Sequence, residues 1–302
     1  MSRIFAAHAL AAMTACLISI NSAPAQDPLA ELRDPDEVTT LVHAAARLVE
    51  VNRQQAVIEF HTENTRWLHG RTHVIVYDLQ GQCLVDPAHP QQEGRNQIAQ
   101  KDSSGRPIVA SMLAAATGNR TSGWSHYLAV PMPGAQAAWA STYATQITSS
   151  DGVQLVVGAT FFGEPTSAYF VNDTVDRAAD ELTLRGGEVL NSLNSKQSLY
   201  HYADTNVIVF DQTGQTLANA SAPTQLGKSI FNSRDANGNS PAQQMVRSCE
   251  NTLSNWITYP TTDADGQPAN KAAYVRKVPF EDRTLYVTAT FFVSERFVLP
   301  ER

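Results

Sequence analysis

Val-Ile-Val-Tyr-Asp-Leu-Gln-Gly-Gln-Cys-Leu, residues 74–84, returns later in the chain as Val-Ile-Val-Phe-Asp-Gln-Thr-Gly-Gln-Thr-Leu, residues 207–217. The same spacing aligns further pairs along the chain: Trp67 with Tyr200, Gly94 with Gly227, Asp102 with Asp235, Gly105 with Gly238 and Met112 with Met245. Solenoid repeats have periods of about 20–50 residues, which is much shorter than this spacing. The sequence therefore predicts two tandem copies of one whole domain.

Each quoted stretch predicts a β-hairpin. β-branched and aromatic residues form the first predicted strand, which ends at an Asp, and a Gly three residues after this Asp supplies the turn. Three further strands close each copy, at 123–131, 136–147 and 153–162 in the first and at 254–260, 271–278 and 284–292 in the second. Each copy is therefore expected to contain a five-stranded antiparallel sheet.

Helices are predicted before each sheet. In the first copy, apolar residues in 38–49 recur every three or four positions, and Asp34-Pro35 supplies an N-cap and a first turn. The other predicted helices are Gln54 to Phe60, Ala168 to Leu184, Val189 to Leu193, and short ones beginning near Pro107 and Pro241. The fold class is α+β, with the helices packed mainly on one side of each sheet.

Composition limits the function classes. The 302 residues are 43% hydrophobic and 17% charged, which is typical of globular domains and not of a disordered chain. The formal net charge is -7, and Lys and Arg form no run. Since nucleic-acid binding requires a basic patch, we expect no nucleic-acid partner.

The N-terminus predicts a secretory signal peptide over residues 1–25. Arg3 precedes a mostly apolar stretch, and small residues end at Ala25. The first domain is then expected over 26–163 and the second over 164–302, in a periplasmic or secreted protein. The alternatives are an uncut membrane anchor and a lipid anchor through Cys16.

Two cysteines follow the predicted signal peptide. Cys83 and Cys249 could pair in an oxidising compartment. They occupy non-equivalent positions in the two copies, so we favour two buried free thiols.

The ordered motifs resemble the Cache family of extracellular sensor domains, specifically the single-Cache type, used twice. The residues that carry the resemblance are Tyr77-Asp78-x-x-Gly81, Gly94-Arg95-Asn96, Asp102-x-x-Gly105-x-Pro107 and Gly123-Trp124, with Phe210-Asp211-x-x-Gly214, Leu226-Gly227-Lys228, Asp235-x-x-Gly238 and Trp256 in the second copy. The resemblance implies two PAS-like domains, each with a long N-terminal helix and a pocket on its sheet for a small carboxylate, an amino acid or a similar metabolite.

Most relatives of this type lie in the ectodomains of chemoreceptors and histidine kinases. We find no apolar segment after the N-terminal one that is long enough to cross a membrane. The expectation is therefore a free-standing exported sensor or co-sensor with a small-molecule ligand and a membrane-bound sensor or transporter as partner. The alternative is an interaction module that docks on such a partner without a ligand of its own.

The second copy offers the cationic candidates for ligand binding. Alternation along the strand from Lys271 places Tyr274 and Arg276 on one face, and a guanidinium binds a carboxylate through two parallel hydrogen bonds. The aromatic candidates on or near neighbouring strands are Trp256, Tyr259 and Tyr202. The alternative is that Arg276 points to solvent and Tyr274 belongs to the core.

In the first copy, residues 137–143 take the place of that strand. This alignment puts Trp139 near Tyr274, and the segment contains no cationic residue. The candidate ligand-binding residues of this copy are Trp67, Tyr77, Trp124, Trp139 and Tyr143, with Arg66, His73, His89 and Tyr127 also available. This composition favours a neutral or aromatic ligand, or none.

Catalytic and metal motifs are absent from the sequence. It contains no H-E-x-x-H, C-x-x-C, G-x-S-x-G or P-loop motif. His61, His69 and His73 are close in sequence but straddle a helix-to-strand junction. We therefore predict no catalytic residue, no cofactor and no metal ligand.

Overall fold

A computed structural model describes residues 34–131, 134–163, 166–294 and 297–298. The predicted signal peptide and Cys16 lie outside the described residues. Within those ranges, no helix combines the length and apolar character that a membrane crossing requires.

The first copy contains three helices and six strands in its described part. The helices are α1 (Pro35–Val51), α2 (Arg53–Phe60) and α3 (Val109–Ala116). The strands are β1 (Leu68–His69), β2 (Thr72–Asp78), β3 (Cys83–Val85), β4 (Ser122–Ala129), β5 (Ala138–Thr148) and β6 (Gln154–Phe162).

The described part of the second copy repeats this order with one additional short strand before its hairpin. Its helices are α4 (Ala168–Arg185), α5 (Val189–Leu193) and α6 (Pro241–Ser248). Its strands are β7 (His201–Tyr202), β8 (Thr205–Asn206), β9 (Ile208–Asp211), β10 (Thr216–Asn219), β11 (Ser254–Thr262), β12 (Pro268–Phe280) and β13 (Arg283–Val293).

The two sheets have the same strand order. It runs β3-β2-β6-β5-β4 in the first copy and β10-β9-β13-β12-β11 in the second, and every pairing is antiparallel. The two predicted five-stranded antiparallel sheets are therefore confirmed. The first sheet also includes the two-residue β1, which pairs with the start of β2.

The repeated Asp-x-x-Gly forms the hairpin turn in both copies. The carboxylates of Asp78 and Asp211 each accept hydrogen bonds from the backbone N–H groups two and four residues later. Gly81 and Gly214 both have φ +86°, a conformation that is unstrained only for glycine. A Cβ on Gly81 would also lie 2.8 Å from the Cβ of Ile98, so the position admits no side chain.

Two of the three described α-helices of each copy, including the long one, lie on one face of the sheet, as predicted, and one short helix covers the opposite face. Val74 and Val76 pack in the cluster that includes α1, whereas Ile75 and Tyr77 pack with α3 on the opposite face. The physical reason is that β2 is apolar on both faces, as strands covered on both sides are. In the second copy α4 and α6 take the corresponding places.

Helix α4 also holds the two copies together. The Arg177 guanidinium donates to the carbonyl of Ala115 at 2.9 Å. Arg120, in the segment before β4, forms ion pairs of 2.9 Å with both Asp173 and Asp180 of α4. The junction between the copies is therefore tied by charge-assisted hydrogen bonds.

The two described cysteines, Cys83 in the first copy and Cys249 in the second, are buried and are not joined in a disulfide. The interpretation that we favoured from the sequence is therefore confirmed.

Candidate functional site

A cavity of about 390 Å³ lies between the first sheet, α3 and the long loop that connects β3 to α3. Its volume is within the range of roughly 300–1,000 Å³ that small-molecule sites occupy. The apolar part of its wall includes Ile75, Ile108, Val109, Met112 and Phe162. The polar part includes His73, Asp86, His89, Lys101 and Tyr127.

Asp102 fixes the loop over this cavity. One carboxylate oxygen accepts from the backbone N–H of Leu128 on β4 at 2.9 Å, and the other accepts from Ser104 and Arg106. Burial opposes the ionisation of Asp102, but these hydrogen bonds outweigh it and lower the pKa. Asp102 is therefore an ionised anchor whose acceptors are already used within the protein.

The Arg106 guanidinium anchors the same loop to the second copy. It donates to the carbonyls of Ser198 at 2.8 Å and Lys196 at 3.1 Å. The side chain is buried and lies 5.8 Å from the centroid of the Trp139 ring. This cation therefore serves the fold and leaves Lys101 as the only lysine or arginine among the described residues of the cavity wall.

His73, Asp86 and His89 form a cluster in the cavity wall. His89 Nδ1 lies 3.2 Å and His73 Nε2 lies 3.6 Å from the same carboxylate oxygen of Asp86. The His73 and Asp86 side chains are 14% and 9% exposed, whereas that of His89 is 54% exposed. Burial lowers the pKa of His73 and the nearby His89 adds to this, while Asp86 opposes it.

Tyr127 and Tyr77 also line the cavity. The Tyr127 hydroxyl lies 2.8 Å from the hydroxyl of Thr142. Burial raises the pKa of both tyrosines, and it raises the pKa of the neighbouring Cys83 to about 11. All three groups are therefore protonated and neutral near pH 7.

Of the first-copy residues named from the sequence, the structure places Tyr77 in this cavity, together with His73, His89 and Tyr127. Trp67, Trp124 and Tyr143 pack instead in the core cluster on the α1 face of the sheet. Trp139 is partly buried against the same cluster. The sheet register also corrects the alignment of Trp139: Tyr143 pairs with Trp124 as Tyr274 pairs with Trp256.

Tyr274 and Arg276 share one face of β12, as alternation predicted, and α4 covers that face. Arg276 forms ion pairs with Asp176 at 3.0 Å and with Asp180 at 2.8 Å. The Tyr274 hydroxyl donates to Asp176 at 3.2 Å, and Trp256 packs against the Tyr274 ring. The carboxylates that this guanidinium binds therefore belong to the protein itself.

The remaining candidates lie elsewhere in the second copy. Tyr259 packs on the α6 face of the sheet and pairs across the strands with Lys271. The ammonium of Lys271 lies 4.4 Å from the ring centroid of Phe292, and burial lowers its pKa against the opposing charge of Asp204. Tyr202 is fully buried and stacks on His126 at the contact between the copies.

Sequence reasoning missed Asp86 and Lys101 as site residues and did not join His73 with His89. The loop brings these residues together from different elements, and their spacing matches no local motif. One usable signal was the alternation His73, Ile75, Tyr77, which places three residues on a single face of β2.

A family model described as Single Cache domain 2 matches two segments of the chain, residues 38–160 and 187–291. Together these segments cover well over half of the sequence. The chain belongs to the single Cache domain 2 family. Cache domains are extracellular or periplasmic sensor modules that bind small ligands.

Solved structures similar to this Cache protein include three with low sequence identity. A methyl-accepting chemotaxis protein from Vibrio parahaemolyticus is 17% identical, with a TM-score of 0.35, over 42% of this chain and 86% of that one. A Cache chemosensory domain studied for carboxylic acid recognition is 18% identical, with a TM-score of 0.35, over 43% of this chain and 92% of its own. Methyl-accepting chemotaxis protein X is 15% identical, with a TM-score of 0.32, over 85% of this chain and 91% of that one. A comparison with curated proteins found no match.

Proposed function

We propose that the cavity of the first copy binds a small metabolite with a carboxylate group, such as an organic acid or an amino acid. The observation that carries the proposal is a partly open cavity of about 390 Å³ with an apolar wall and a lysine in its polar part. Such a site binds the carbon skeleton of a metabolite by apolar contact and orients it through a few polar groups.

Among its described residues, the cavity wall contains the carboxylates of Asp86 and Asp102 and one cationic side chain, Lys101, and it is Lys101 that supports a carboxylate ligand. Lys101 forms no side-chain hydrogen bond or ion pair within the described residues, whereas Arg106 and Asp102 are both engaged in the fold. An ammonium group is a strong partner for a carboxylate. Asp86, on the same cavity wall, is a suitable partner for the amino group of an amino acid.

A thermal-shift screen of organic acids and amino acids tests this function. A ligand at 100 times its Kd is expected to stabilise the protein by about 2.7 kcal/mol. Lys101→Met is expected to weaken the binding of a carboxylate hit by about tenfold, because it removes one charge-assisted hydrogen bond.

Lys228→Met is the matched control, because Lys228 is an exposed lysine on the corresponding loop of the second copy. The control is expected to bind like the wild type. A broad panel that stabilises nothing, or a hit that Lys101→Met binds unchanged, would contradict the proposal.

For the predicted residues of the second copy we propose two different roles. Tyr274 and Arg276, with Trp256 beside them, connect α4 to the sheet. Lys271 and Tyr259 lie on the α6 face, which corresponds to the cavity face of the first copy, and are our candidates for a second ligand site.

We further propose that the protein is exported, with residues 1–25 removed, and acts as a co-sensor for a membrane-bound sensor or transporter. Support comes from the apolar N-terminal stretch and from the family. Mass spectrometry of the periplasmic fraction is expected to find a mature chain that begins at Gln26. A chain that retains Met1 in the cytoplasm would contradict export.

A further inference from the structure

The His73–Asp86–His89 cluster has the ligand chemistry of a metal site. Two imidazoles and one carboxylate are the donor set of many three-ligand zinc sites and of the facial triads that bind iron. One potential ligand atom from each residue lies within 4.8 Å of the other two. Metal–ligand bonds of roughly 2.0–2.1 Å in tetrahedral geometry hold ligand atoms about 3.3 Å apart.

The observed separations are close to that value. The two histidine–carboxylate distances are 3.2 Å and 3.6 Å. The ring centroids of His73 and His89 are 5.8 Å apart, with the ring planes at 72° to each other. A small movement of the exposed His89 side chain would bring the three ligand atoms to bonding distance from one ion.

The hydrogen bond of His73 is a second, independent observation. His73 Nδ1 lies 3.2 Å from the carbonyl oxygen of Arg71, and a carbonyl oxygen only accepts, so Nδ1 carries the proton. In the neutral ring the lone pair of Nε2 then faces the carboxylate of Asp86. A cation between the two groups turns this repulsion into two attractive contacts, and a backbone partner on the far nitrogen is typical of metal-bound histidine.

The backbone around Asp86 fixes the other two ligands. Asp86 and His89 lie in one turn, in which the His89 N–H donates to both the carbonyl and the carboxylate of Asp86. The Asp86 N–H donates to Glu93 at 2.7 Å. The Asp86 side chain is therefore positioned before any ligand arrives, while the exposed His89 provides a path for an ion to enter.

We propose that His73, Asp86 and His89 bind one divalent transition-metal ion, such as Zn²⁺, in the wall of the first-copy cavity. Three protein ligands leave at least one coordination position unfilled, and all three residues line the cavity. The open position therefore faces the space in which we propose that a metabolite binds. The metal site itself does not depend on which metabolite that is.

Metal titration without metabolite tests this site. The exported chain, prepared without a polyhistidine tag and treated with a chelator, is titrated with Zn²⁺ by calorimetry and with Co²⁺ by visible absorption. We expect one ion per chain and a Co²⁺ spectrum of low coordination number. His89→Gln and Asp86→Asn are each expected to weaken Zn²⁺ binding at least about tenfold.

His43→Gln is the matched control, since His43 is exposed on α1, on the other side of the sheet, and this variant should bind Zn²⁺ like the wild type. His89→Gln decides the test if Asp86→Asn does not fold, because the His89 side chain is 54% exposed. Wild-type protein that binds no Zn²⁺, or His89→Gln that binds it as tightly, would overturn the proposal. A metabolite screen in the presence of chelator tests metabolite binding independently of metal binding.

Discussion

His126 lies at the contact between the two copies. Its ring is 4.0 Å from that of Tyr202 and 4.9 Å from that of Phe170, measured between centroids. Its Nδ1 forms a 2.9 Å hydrogen bond with Ser141. Burial, with smaller contributions from the charges of Arg106 and Arg177, lowers the pKa of His126 to about 3. The folded protein therefore holds this imidazole neutral.

This burial predicts acid sensitivity of the fold. An unfolded chain binds a proton at His126 below about pH 6.5, whereas the folded chain does not until about pH 3. Stability is therefore lost as the pH falls through that window. Between pH 6.5 and pH 5, the unfolding free energy of His126→Gln is expected to fall by about 1.7 kcal/mol less than that of the wild type, measured by urea denaturation.

His43→Gln is the control for this experiment, and its loss should follow that of the wild type. If His126→Gln and the wild type lose equal stability between the two pH values, His126 is not the residue responsible.

At the residue scale, the sequence correctly predicted which side chains share a face of a strand, because side chains alternate between the two faces. It placed Tyr274 and Arg276 on one face, and they share it. Alternation carries no information about which helix covers that face, so the ion pairs of Arg276 with Asp176 and Asp180 were not predictable. The same limit applies to Trp124 and Tyr143, which line the core and not the cavity.

Helix α4 packs against both copies, with Phe170 in the core cluster of the first and Val171 in that of the second. Its Arg177 guanidinium passes directly over Gly123 at the start of β4. A Cβ at Gly123 would overlap the end of Arg177 and lie 2.9 Å from the carbonyl oxygen of Ala115. Because Arg177 is buried and already bonded to that carbonyl, it has little room to move.

Gly123→Ala is therefore expected to lower the unfolding free energy by about 1–3 kcal/mol through overpacking, measured by chemical denaturation. Gly187→Ala is the matched control. A Cβ there meets only the Phe280 ring, at 3.9 Å, so no loss is expected. Equal stability of the two variants would contradict this account of the junction.

Element prediction succeeded where turn chemistry is local. The hydrogen bonds of the two Asp-x-x-Gly turns join residues two and four positions apart, and both turns were predicted from the sequence. The loop over the cavity was not, because its position depends on distant contacts such as Asp102 with Leu128 and Arg106 with Ser198. The four-residue misalignment of Trp139 has the same origin, since strand register is fixed by pairing across the sheet.

On the scale of the whole molecule, the two copies share a fold and differ on one face. The counterpart of Tyr77 is Phe210, which stacks on Tyr286 with ring centroids 5.5 Å apart and packs with Phe231 near α6. The corresponding face of the first copy contains the cavity with His73, Lys101 and Tyr127. We therefore expect the first copy to be the principal ligand site, although the cationic candidates that the sequence offered lie on β12 of the second copy.

The most direct test of this claim is a crystal structure of the protein with the strongest hit of the metabolite screen. We expect density for the ligand in the first-copy cavity, between α3 and the sheet, with its carboxylate within hydrogen-bond distance of Lys101. Ligand bound beside Arg276, or only on the second copy, with the first-copy cavity empty, would contradict the claim.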